Sequence, residues 1–149
     1  MANVEPLSAE EQRALRALVG VIIPASAAYS EPGADDDLIF ADILATIAPD
    51  TLRVRAALSR LDALAGGCFA DLDAAQREVV AFKFRDVEAT PLPPWLSVTV
   101  QCYYRDDRVM RALGMEARPP FPGGFEVEQG DWSLLDPVRG RPKLYREVP

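Results

Sequence analysis

At 149 residues the chain is long enough for one domain with a real core, and its 49% hydrophobic and 26% charged residues are those of a soluble globular protein. Its net charge of −7 sits at the front: residues 1–50 hold nine acids and two arginines, whereas the rest hold 14 of each sign. That balance argues against a nucleic-acid binder, which needs a basic face against phosphate, and no apolar run reaches the ~18 residues of a membrane-spanning helix.

The opening MANVEPLSAEEQ has neither a basic nor an apolar leader, so no secretory signal is expected and the chain as written reads as cytoplasmic. Ser8 with Glu11 is a capping box, and Ala14, Leu15, Leu18, Val19 and Ile22 follow at helical spacing until Pro24 stops the helix. The stretch from Pro24 to Gly33 is turn material. A second helix is predicted to open at Asp35–Asp37, where carboxylates suit the positive end of the helix dipole, with Phe40, Ile43, Leu44 and Ile47 as its apolar face and Pro49 beyond it.

Asp50 or Thr51 is expected to cap a third helix with Val54, Leu58, Leu61 and Leu64 as its stripe, ended by Gly66-Gly67. Asp73 with Gln76 forms another capping box, and the helix after it runs to about Arg85 with Val79, Val80, Phe82 and Phe84 as apolar positions. The prolines of Pro91-Leu-Pro-Pro94 forbid helix before Trp95, and Pro94 suits a first helical turn. Residues 95–104 mix strand formers with helical spacing at Trp95, Val98, Thr99 and Cys102. With no second strand to pair with, they are assigned to helix. Asp106 is placed to cap a short last helix closed by Gly114.

The expected fold is therefore all-α: five to six short helices in an orthogonal or bundle-like packing over residues 1–114, followed by an extended irregular arm over 115–149. The arm holds six of the 13 prolines and four of the nine glycines, yet carries Phe121, Phe125, Trp132, Leu134, Leu135, Val138 and Tyr145. Disordered tails lack such anchors, so the arm is expected to lie on a surface, that of a partner. The candidate partner-contact residues are Trp132, Tyr145, Phe121, Phe125 and Arg139, because aromatic and arginine anchors dominate interface energy.

Chemistry is sparse. The chain has no histidine, which removes the commonest general base and excludes Ser-His and Cys-His nucleophiles. No glycine-rich phosphate or dinucleotide fingerprint occurs. Asp35-Asp36-Asp37 lacks the alternating ligands of a calcium loop and is read as capping and solvation. Cys68 and Cys102 are too few for a disulfide scaffold and are read as small buried hydrophobes, with a disulfide in the chain or to a partner open only in an oxidising compartment. No catalytic, metal or cofactor-binding residue is assigned. The alternative is a stand-alone helical enzyme or ligand-binding module, using carboxylates or tyrosines in a pocket between helices.

Three ordered stretches, LSAEEQRALRALVGVIIP (7–24), EPGADDDLIFADIL (31–44) and YYRDDRVMRALG with PPFPGG (103–124), resemble the gluconate 2-dehydrogenase subunit 3 family. These are small accessory subunits of flavin-dependent sugar and polyol dehydrogenases of the glucose-methanol-choline type. The resemblance implies a non-catalytic chain that binds no cofactor itself and stabilises a large FAD-bearing subunit, often helping it fold or leave the cytoplasm. A cytochrome c electron acceptor stays open as a further partner. Members commonly carry a twin-arginine signal. Here Arg13 and Arg16 are not adjacent, so a periplasmic location would need a signal removed or a partner that exports the complex. The family's Pro-Gly-Ala and Tyr-Tyr elements match Pro32-Gly33-Ala34 and Tyr103-Tyr104, read as structural or interface positions.

Overall fold

Ser8 starts the first helix as its spacing requires: its hydroxyl accepts from the Glu11 N–H at 3.2 Å, and the Glu11 carboxylate accepts from the Ser8 N–H at 2.7 Å. This computed structural model describes residues 5–87, 92–117, 124 and 129–142. Six α-helices follow one another in the front unit: α1 (Ala9–Ile22), α2 (Asp37–Ile47), α3 (Thr51–Ala65), α4 (Ala74–Val87), α5 (Pro94–Tyr104) and α6 (Asp107–Ala112). Among the described residues there is no strand, only a single antiparallel bridge between Ser26 and Glu31. The fold is all-α. The chain divides into units of residues 1–118 and 119–149, four residues beyond the boundary expected from composition.

Most helix ends follow the local signals. Asp36 caps α2 by accepting from the Leu38 N–H at 3.0 Å, and Asp73 and Gln76 exchange both bonds of their capping box at 2.8 and 3.1 Å. Gly66 ends α3 in the left-handed conformation at φ 72°. Asp106 accepts from the Arg108 N–H at 2.8 Å to start α6, and Pro94 is its helix's first residue. The start of α3 differs from expectation. A 3-10 turn over Ala48–Asp50 leads straight into the helix, neither side chain caps it, and the Thr51 hydroxyl instead donates back to the Ala48 carbonyl at 2.8 Å. Once Ala48–Asp50 is already helical, Asp50 cannot take the extended conformation a cap needs.

All the buried apolar side chains among the described residues lie between Leu7 and Val109. Leu15 and Val19 of α1, Ile39, Ile43 and Ile47 of α2, Val54 and Leu61 of α3, and Phe69, Phe84 and Val109 are fully enclosed. The Phe84 and Trp95 rings meet at 5.3 Å between centroids. On α4 the expected face is corrected: Val80 and Phe84 are buried, but Val79 is 53% and Phe82 50% exposed. Leu64 at the end of α3 is exposed too. At 3.6 residues per turn Val79 and Phe82 point roughly 150° away from the Val80–Phe84 stripe, so α4 carries two apolar faces and the core takes only one.

In the second unit the described residues form a 3-10 turn, Trp132–Leu135, continued by α7, Asp136–Arg139. Asp131 caps the turn by accepting from the Ser133 N–H at 3.0 Å.

Candidate partner-binding surfaces

The acidic run is a junction. Arg108 spans Asp36 at 2.6 Å and Asp106 at 3.0 Å, Arg16 pairs with Asp37, and Arg16 Nε donates to the Asp35 carbonyl at 3.0 Å. The same guanidinium of Arg16 lies 5.4 Å from the centre of the Phe40 ring. Arg105 grips Asp42 with both ends of its fork, at 2.7 and 2.5 Å, and donates to the Thr46 hydroxyl at 2.8 Å. Contacts between Thr46 and Cys102, Asp42 and Arg105, and Asp36 and Arg108 descend α2 as they climb α5 and α6, so α2 runs antiparallel to α5.

The charges respond accordingly. Hydrogen bonds from Arg108 hold the Asp36 and Asp106 carboxyls below the usual carboxylate range, against the opposing effect of burial. Arg105 does the same to Asp42. Burial works to raise Glu11, but the Arg55 hydrogen bond at 2.6 Å and the Ser8 N–H outweigh it and keep that carboxyl low. Burial pushes the Cys102 thiol up. No group of three metal-ligating side chains occurs among the described residues.

The Pro-Gly-Ala loop fastens this junction to α1. Ala34 is fully buried, and its N–H donates to the Ile23 carbonyl at 2.9 Å. A side chain on Gly33 would collide with the Asp35 carboxylate and lie 2.9 Å from the Ala25 nitrogen. Only glycine allows the two backbones that approach.

Of the expected contact residues, Tyr103 is 4% exposed and belongs to the core, whereas its neighbour Tyr104 is 55% exposed. Their rings meet edge-on at 5.2 Å. Burial, then the Glu31 charge, pushes the Tyr103 phenol up. Trp132 is 61% exposed, and its indole N–H donates to Gln129 at 3.1 Å. Arg139 pairs with Asp136 at 3.2 Å on the same short helical segment. Leu134, Leu135 and Val138 are exposed beside them. Phe121, Phe125 and Tyr145 lie outside the described residues.

Periodicity alone overlooked one further surface. Beside the Val79–Phe82 crest of α4 lies a groove of about 500 Å³, walled by Leu18, Val21, Ala81, Trp95 and Leu96 with Glu78 and Arg85 on its rim. A second of about 400 Å³ flanks the other side, against Ala65 and Leu72. The larger groove is lined by one carboxylate, that of Glu78, and by no tyrosine. The signal was present in the sequence as two apolar stripes on one helix. Comparison with protein families, curated proteins and solved structures gave no match to this chain.

Proposed function

We propose that the chain is a non-catalytic small subunit that stabilises, and helps to fold or export, the FAD-bearing catalytic subunit of a sugar or polyol dehydrogenase. The observation that carries this reading is the segment Asp131–Arg139: a capped, helical turn that turns Trp132, Leu134, Leu135 and Val138 outward together. Half or more exposed in water, most of these side chains forgo part of the roughly 1.5–3 kcal/mol that full burial gives each. A partner groove that accepts an amphipathic turn recovers it. The first two stretches that carry the family resemblance and the YYRDDRVMRALG part of the third also meet in one place, where Arg16, Asp36, Asp37 and Arg108 tie α1, α2 and α6 together. That is support for a shared scaffold rather than for scattered short motifs.

The reading is tested by co-expressing the chain with the reading frame beside its gene and recording the absorbance of the purified complex. Flavin bands are expected to co-elute with the full chain and to be lost when it is truncated after Gly114. A truncated chain that holds the flavoprotein with unchanged affinity would refute the role of the arm. The truncated body should still unfold cooperatively, since the buried apolar side chains among the described residues lie between Leu7 and Val109.

A further inference from the structure

The outer face of α4 repeats apolar side chains at i, i+4 and i+7: Ala75, Val79 and Phe82, all exposed. Grooves flank this crest on both sides. A ridge between two grooves is the shape into which a second helix packs, its own side chains filling the grooves.

We propose that α4 is a homodimerisation surface, with the α4 of a second copy lying antiparallel across its Val79–Phe82 crest. The spacing of the residues is self-complementary about a two-fold axis between positions 80 and 81. In that register Val79 of each copy faces Phe82 of the other. Antiparallel pairing about such an axis brings like flanks together. Glu78 and Arg85 share one flank, the rim of the larger groove, so Glu78 of each copy meets Arg85 of the other. Within one chain Glu78 has no hydrogen bond or ion pair among the described residues. Among the described residues Arg85 pairs with its neighbour Asp86 at 2.9 Å and rests over the Phe82 ring at 5.1 Å. Both are exposed and can turn to a partner.

Charge on α4 is compatible with a second copy of the chain. The molecule carries −7, which opposes self-association, but α4 holds Arg77, Lys83 and Arg85 against Glu78 and Asp86, a balance of 3 − 2 = +1. Two copies meeting at α4 thus bring together a segment that does not share the excess of acid. The proposal uses the front unit alone and stands whether or not the chain has a flavoprotein partner.

Sedimentation of the full-length chain over a concentration series reads it out. A monomer–dimer equilibrium with Kd on the order of 10 μM is expected. Val79→Asp should raise Kd at least ~tenfold, and E78R and R85E alone should each weaken it by about tenfold, the first setting arginine against arginine and the second glutamate against glutamate. Mixing E78R with R85E in equal amounts makes both cross-pairs attractive and should restore dimer to within ~threefold of the parent. These side chains are exposed, and circular dichroism checks that each variant stays helical. A parent chain monomeric at ~1 mM, single variants that dimerise like the parent, or a mixture that fails to recover would each overturn the proposal.

Discussion

Gly33 shows how one residue decides whether two segments can meet. Its neighbour Ala34 is bonded to the end of α1, and a Cβ at position 33 has no room beside the Ala25 nitrogen and the Asp35 carboxylate. Gly33→Ala is therefore expected to destabilise by about 1–3 kcal/mol, read as a lower urea midpoint, because backbone rather than a flexible side chain must yield. Gly67→Ala, with nothing within 4 Å, serves as the control and should change stability by no more than ~0.5 kcal/mol. Asp36 shows the same concentration of duty. One carboxylate caps α2 and receives Arg108 from α6, so the run of three aspartates is divided among separate structural tasks.

At the scale of elements, α4 is the instructive case. Val79, Val80, Phe82 and Phe84 read as one buried set, and the fold separates them into Val80 and Phe84 inside, Val79 and Phe82 outside. Phe84→Ala removes a fully enclosed ring packed on Trp95 and is expected to cost about 3–5 kcal/mol. Phe82→Ala in the isolated monomer should cost less than ~1 kcal/mol, since its ring is half in water already. Thermal unfolding of the two variants side by side checks the assignment of faces. α5 settled in the opposite way: its Val-Thr-Val run has strand propensity, but Trp95, Val98, Thr99 and Cys102 all turn inward at helical spacing. The Thr99 hydroxyl is satisfied inside that helix by the Trp95 carbonyl at 2.6 Å. Packing outweighed propensity, which is the weaker force in a core.

For the molecule as a whole, the front unit is tied together by carboxylates whose affinity for protons is reduced on folding: Glu11, Asp36, Asp42 and Asp106. Their ordinary values are 4.5 for the glutamate and 3.8 for the aspartates. As pH falls past these values the unfolded chain takes up protons before the folded one. The stability these groups contribute is thus fully present above that range and is lost as pH drops through the lower folded-state values. Urea midpoints should be level from pH 7 to about 5 and then fall, by on the order of 2 kcal/mol in total toward pH 3, since partly exposed pairs are worth about 0–1 kcal/mol each. A midpoint that rises on acidification would contradict the ion-pair account.

The helices and nearly all their ends were legible in the sequence, because a serine or aspartate cap, a proline at the first turn and a left-handed glycine act on residues three or four positions away. The absence of histidine likewise narrowed the chemistry before any fold was known. The residues expected to contact a partner were chosen by type, and type does not fix exposure. Trp132 and Tyr104 are exposed, whereas Tyr103, adjacent to Tyr104 on one helix, is core. What the tertiary structure alone decided are the contacts across long separations: Arg108 to Asp36, Arg105 to Asp42, Ala34 to Ile23, and the choice of which stripe of α4 faces inward. A helix with two apolar faces has no local preference between them. Only the arrival of α1, α3 and α5 on one side selects the face that is buried and leaves the other exposed.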